Sequence, residues 1–355
     1  MRAGYGVRVN WIVAAASLAA VIVLHELGHF LCARFVGMRV DRFNVFGIGP
    51  TILRLGRWRE TEFVLGAIPF GAAVEIRGMA PEEEGSAPPE PGDFRTHPIW
   101  ARALVLAGGP LANYLVAMVL LFTLFTTAGM PGRPVAIEVG GVRDGSAAQA
   151  AGIRMGDTIA KIGDVTIDPG LAGRDVIDAG RRYRGTTTTV EVERAGEHRS
   201  LAVTVPDVEA PLGIVIGSRP GPRQAVSLAT AVSEAVARPI ADSKAQLQGL
   251  WQLVTGRLQA TMQGPVGIVR EIARSADGGI VPLVMAAALI STLLGLFNLI
   301  PLPGLDGGRL AFVAYEAITR RRANPRVEEL VHAYGLMALL LLIALATVGD
   351  VRRLF

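Results

Sequence analysis

WIVAAASLAAVIVLHELGHFLCA, residues 11–33, is apolar throughout except at His25, Glu26 and His29. As a helix it is long enough to cross about 30 Å of hydrocarbon. Arg2 and Arg8 precede it, as basic residues precede a secretory signal, but the run continues through HELGHF without a small-residue cleavage site. It therefore reads as a retained span. Further apolar stretches lie at 103–128, 281–300 and 332–349. The fold class expected is a polytopic α-helical membrane protein with four transmembrane helices.

The composition agrees. The chain has 355 residues, 51% hydrophobic and 19% charged, with a mean hydropathy of +0.41. That is too apolar for an ordinary soluble protein and too charged for a bare helical bundle, whereas a membrane core with soluble insertions fits both. The net charge of +4 comes from arginine, since Lys161 and Lys244 are the only lysines. Arginines beside apolar spans point to membrane topology and not to nucleic acid. Arg34, Arg39 and Arg42 follow the first span; Arg309, Arg320, Arg321, Arg322 and Arg326 follow the third. By the positive-inside rule both loops are cytoplasmic, which puts both termini and residues 129–280 on the opposite face. The single cysteine, Cys32, excludes an intramolecular disulfide and a multi-cysteine metal cluster.

Residues 130 to about 217 show short alternating runs between Gly and Asp turns, the pattern of a small β-rich domain. The expected organisation is two spans in 1–128, a β-rich domain in 129–220, an amphipathic helical linker in 221–280 and two spans in 281–355. In the cytoplasmic loop, TEFVLGAIPFGAAVEIRGM (61–79) reads as a β-hairpin-like element lying at the membrane, and PEEEGSAPPEPGD (81–93) as a linker.

Two of the five histidines stand in His25-Glu26-Leu27-Gly28-His29. Positions i and i+4 share a helix face, so both imidazoles can reach one Zn²⁺ while Glu26 acts as general base. A glutamate inside a span costs roughly 2.5–3.5 kcal/mol, which marks the cluster as functional. A catalytic zinc needs a third protein ligand. Cys32 lies on the same stripe, but about 10.5 Å of helix rise separates it from His25, too far to converge. Asp306 is the better candidate, because FNLIPLPGLDGGRL (297–310) breaks an apolar helix at Pro301, Pro303 and Gly304 and then offers a carboxylate. Broken backbone at membrane depth survives only where protein buries it or water reaches it. By topology Asp306 also lies at the depth of the histidines. Asn298 is a candidate oxyanion or substrate-backbone donor, and Asn113, in Gly109-Pro110-Leu111-Ala112-Asn113, reads as a packing residue.

With these residues the sequence resembles the site-2 protease family, in its bacterial regulator-of-sigma-E protease branch. HELGH (25–29), GIGP (47–50), AGGPLANY (107–114), GPVGI (264–268) and NLIPLPGLDGG (298–308) occur in that family's order, over most of the chain. The resemblance implies that His25, His29 and Asp306 ligate zinc and that Glu26 is the base. It also implies that 130–217 is one extracytoplasmic PDZ domain, with Gly152, Gly156 and Asp157 in the AG-x(3)-GD pattern, where better-known members carry two. The family's PLGGYV stands here as Pro69-Phe70-Gly71-Ala72-Ala73-Val74. The implied activity is cleavage of single-span, pre-trimmed transmembrane substrates in a bacterial inner membrane, among lipids and without nucleic acid, as the second cut of a cascade acting on anti-sigma factors or remnant signal peptides. The competing reading is a catalytically idle scaffold that binds partners through the PDZ domain. A metal transporter would need a polar path across the bilayer, and spans two and four offer none.

Overall fold

The computed structural model describes residues 3–68, 71–79, 90–171, 173–208, 212–255 and 264–352. Along the chain run α1 (Ala3–Phe35), β1 (Val40–Phe46), β2 (Ile48–Trp58), β3 (Thr61–Ile68), β4 (Ala73–Ile76), α2 (Ile99–Ala128), β5 (Met130–Val142), α3 (Ala147–Ala150), β6 (Thr158–Ile162) and β7 (Val165–Thr166). There follow α4 (Arg174–Arg182), β8 (Thr187–Arg194), β9 (Glu197–Thr204), β10 (Ile214–Gln224), α5 (Leu228–Val254), α6 (Pro265–Asp277), α7 (Ile280–Leu299), α8 (Asp306–Thr319) and α9 (Pro325–Arg352). They form two compact units, Met1–Thr127 with Ser227–Phe355, and Ala128–Val226.

In the first unit four helices are long and apolar enough to cross a membrane: Asn10–Phe35, Ile99–Ala128, Ile280–Leu299 and Pro325–Arg352. They cover the four apolar stretches read from the sequence. The second and fourth start earlier than hydropathy alone indicates, because the helix runs through Arg102 in α2 and through Arg326, Glu328 and Glu329 in α9. Leu111, Leu115 and Val119, four residues apart on α2, are all more than half exposed, and the one buried residue among those described in α9 is Asp350. Apolar stripes of this kind, exposed among the described residues, suit contact with lipid tails.

Helices α1 and α2 touch backbone to backbone. A Cβ at Gly28 would meet the Gly108 carbonyl and, at 2.6 Å, the Ala112 Cβ, while one at Gly108 would sit 2.8 Å from Cys32 Sγ. Cys32 is thus a packing residue against α2. Helix α7 closes on α2 in the same manner: a Cβ at Gly295 would lie 2.9 Å from the Pro110 carbonyl, and Ser291 Oγ donates to the Asn113 carbonyl at 2.8 Å. Small residues at these crossings let interhelical hydrogen bonds form.

The loop between α1 and α2 folds as a four-stranded sheet in the order β2-β3-β1-β4. Strands β1 and β3 are parallel, and the other two pairings are antiparallel. Sequence alternation marks only the region of β3 and β4, and these do not form the expected hairpin, because β1 lies between them; Gly49, Pro50 and Gly56 interrupt the pattern of β2. Phe30 of α1 meets Phe43 and Phe63 edge-on at 5.5 and 5.9 Å, which seats the sheet against the helix. Residues 81–89 of the expected linker, and Pro69 and Phe70, lie outside the described residues.

The expected helical linker from 221 begins later, because β10 continues to Gln224 and Pro220 and Pro222 favour extended backbone. Ser227 then caps α5, its Oγ accepting from Thr230 N–H at 3.1 Å. Helix α6 begins at the GPVGI motif. Asp350, at the end of α9, accepts from Gly267 N–H at 2.7 Å, so a carboxylate from the last helix satisfies the N-terminus of α6.

The second unit is a sheet in the order β10-β5-β6-β8-β9, with β7 on β6, over a core including Ile137, Val139, Ile159, Ile162, Val190 and Val203. Asp157 is buried and accepts from Arg194 at 2.6 and 2.7 Å and from Arg154 N–H at 2.8 Å. Burial alone would raise its carboxyl, but these donors hold it below the usual carboxylate value. A carboxyl lowered on folding adds stability above its unfolded value of about 3.9, and that part is lost as pH falls through and below it. Pepsin cleavage within residues 128–226 should therefore accelerate as pH drops below about 4, and less steeply in Asp157→Asn. Arg194→Ala, which removes both side-chain donors to that carboxylate, should lower the urea midpoint of unfolding at neutral pH.

Candidate metal centre

Three side chains converge inside the first unit. Asp306 Oδ2 lies 3.1 Å from His25 Nε2 and 3.2 Å from His29 Nε2, and the two Nε2 atoms are 3.2 Å apart. His25 and His29 are 6% and 4% exposed, while the Asp306 side chain keeps 20% exposure. Among the described residues these three form the one such cluster of possible metal ligands. Bonds of about 2.0–2.1 Å in a tetrahedral site put ligand atoms about 3.3 Å apart, so the spacing suits zinc.

The surroundings keep that space open and aimed. A Cβ at Gly109 would overlap His29 Nε2 and stand 2.7 Å from His25 Nε2, so the absence of a side chain at this turn of α2 leaves room for an ion between the ligand atoms. His29 Nδ1 lies 2.7 Å from the Val105 carbonyl. With Nδ1 donating there, Nε2 is left with its lone pair toward the centre. Pro110 withdraws one N–H from the same stretch of α2, which nevertheless stays helical from Ile99 to Ala128.

Asp306 does not end a broken helix, as the sequence suggested. It opens α8, where a carboxylate is favoured by the helix dipole. After α7 stops at Leu299 the chain turns through Pro301, Pro303 and Gly304, the last at φ +89°. A Cβ at Gly307 or Gly308 would overlap the carbonyl of Ile300 or Leu302, so the two glycines let α8 press against the loop and swing Asp306 toward the histidines. His332 of α9 braces the turn by accepting from Gly304 N–H at 3.1 Å. Further along α8, buried Arg102 of α2 clamps Glu316 with two hydrogen bonds of 2.8 Å.

Glu26 projects beside the cluster, and its Oε2 accepts from Val74 N–H of β4 at 3.1 Å. That N–H points away from β1, so the outer edge of β4 faces Glu26. Asn298 is not drawn into the cluster, because its Nδ2 donates to Leu294 O one turn back at 2.9 Å. Asn113, read from sequence as packing, instead reaches His25 Nδ1 at 3.1 Å. The signal that marks it is spacing: Val105, Gly109 and Asn113 fall four apart and line one face of α2.

Compared with protein families, the chain matches Peptidase family M50 over residues 13–342. The chain belongs to peptidase family M50. Relatives named as members of similar activity cover nearly the whole of it. "Putative zinc metalloprotease slr1821" of Synechocystis sp. is 34% identical over 95% of this chain and 93% of its own length. "Putative zinc metalloprotease Atu1380" of Agrobacterium fabrum is 32% identical over 95% and 94%, and "Zinc metalloprotease RasP" of Geobacillus kaustophilus is 26% identical over 95% and 96%. This M50 chain should lose stoichiometric zinc in Gly109→Ala, although alanine favours the helix by about 1 kcal/mol; metal analysis of the purified protein after dialysis reads the outcome.

Proposed function

We propose that this M50 peptidase is an intramembrane zinc endopeptidase that cuts within or near the transmembrane segments of single-span proteins already trimmed outside the membrane. The convergence of His25, His29 and Asp306 among spanning helices, with Glu26 beside them, is the observation that carries it. His25 Nε2, His29 Nε2 and Asp306 Oδ2 would hold zinc. Bound there, zinc would supply Lewis-acid polarisation of a carbonyl and a nucleophile from water at neutral pH. Glu26 takes the proton of the attacking water and later returns it to the leaving amine. Asn298 would act as a donor to the oxyanion only after leaving the Leu294 carbonyl.

A helical substrate hides its carbonyls, so it must unwind before attack, and a strand edge has to hold it. Strand β3, the first half of the 61–79 element, is paired on both sides and cannot serve. The outer edge of β4 can, since Val74 N–H already points at Glu26. In the second unit β10 is an edge strand, and Gly173 at the head of α4 lies against Ile216 of β10. This supports a PDZ-type groove in which a trimmed substrate's C-terminus adds to β10. By the arginine distribution this unit and both termini lie outside the cytoplasm of a bacterial inner membrane. Anti-sigma factors and remnant signal peptides are the substrates that this second-cut role fits.

The test is cleavage of a trimmed single-span substrate by detergent-purified protein, with the cut mapped by mass spectrometry. Glu26→Gln should keep zinc and lose about 10²–10⁴-fold in rate; undiminished turnover refutes the role of Glu26, and activity unaffected by a chelator refutes the metal. Val74→Pro, which removes an outward N–H at a position where an edge strand tolerates proline, should retain zinc and lose cleavage.

A further inference from the structure

Asn113 sits at the middle of α2 with no exposure, and no step proposed above uses it. Its amide lies 3.1 Å from His25 Nδ1, its carbonyl accepts from Ser291 of α7 at 2.8 Å, and its Oδ1 has no partner among the described residues. A neutral imidazole carries a single N–H. His25 Nε2 faces His29 Nε2 and Asp306 Oδ2, so binding a metal there requires the proton to sit on Nδ1. That proton needs an acceptor, and His25 is buried.

The two ends of an asparagine amide have the same shape and exchange by a half-turn of the group. With its oxygen turned to His25, Asn113 accepts the Nδ1 proton. The half-turn swaps one unpartnered atom for another, so it adds no buried orphan and gains the acceptor that the metal-binding tautomer demands. Helix α2 then treats both histidines alike: the Val105 carbonyl serves His29 at 2.7 Å, and the Asn113 side chain serves His25. We propose that Asn113 is a positioning residue that fixes His25 in its metal-binding tautomer and, through Ser291, ties that ring to the helix leading to Asp306. This rests on the zinc reading given under Proposed function.

The experiment measures zinc affinity of the full-length, detergent-purified chain by competition with a chelating dye. Asn113→Leu keeps the shape and removes the acceptor; Asn113→Asp keeps an acceptor, and Asn113→Ala is the second deletion should leucine not fold. His29→Ala is the ligand control, and helical circular dichroism checks each fold. The expected result is a 10–100-fold weaker affinity for Asn113→Leu or Asn113→Ala, as for other outer-shell partners of metal-bound histidine, with Asn113→Asp close to the parent. Parent-like affinity in the folded leucine or alanine variant overturns the proposal, as does equal weakening of the aspartate variant, which would mean packing alone. Failure of the parent to bind zinc, or unchanged binding in His29→Ala, overturns the zinc reading itself and this proposal with it.

Discussion

Three polar side chains in an apolar bundle can persist only by facing one another. Alone, Asp306 would carry an unmatched charge and each histidine an unmatched ring nitrogen, and each would be costly to bury. Together, with Oδ2 and the two Nε2 atoms at 3.1 to 3.2 Å, they form a donor set that a divalent cation completes. Much else in the first unit follows from the need to bring a residue of α8 to one face of α1.

Close backbone approach meets that need. Gly28 and Gly108 let α1 and α2 touch, Gly295 lets α7 reach α2, and Gly307 with Gly308 lets α8 fold back on the chain just before it. Gly109 has the opposite duty, since it holds a space open. Polar links then lock the elements: Ser291 to Asn113, Arg102 to Glu316 and His332 to Gly304. Glu26, hydrogen-bonded to Val74 N–H, joins the His25, His29 and Asp306 cluster to the edge strand β4.

The parts of this arrangement visible in the sequence are those with a period or a fixed spacing. Spans show as long apolar runs, and His25 and His29 show as i and i+4. Asp306 was visible because prolines break a helix just before it, but its place at the start of α8 was not, since that depends on glycines pressed against carbonyls distant from any motif logic. Strand β2 was hidden by Gly49, Pro50 and Gly56, which interrupt its alternation without ending it, and β1 by the adjacent charges Asp41 and Arg42, which break its alternation. Asn113 looked like packing because its partner, His25 Nδ1, comes from a helix 88 residues earlier in the chain. Asn298 carried no mark of its local bond to Leu294.

The distance along the chain between the ligands has a consequence for biosynthesis. Asp306 follows His25 by 281 residues, and the residues that steady its loop and cap α6, His332 and Asp350, come later still. A polypeptide emerging from the ribosome thus carries its paired imidazoles and Glu26 from the first helix onward, but the His25, His29 and Asp306 set is assembled only once α8 has been made.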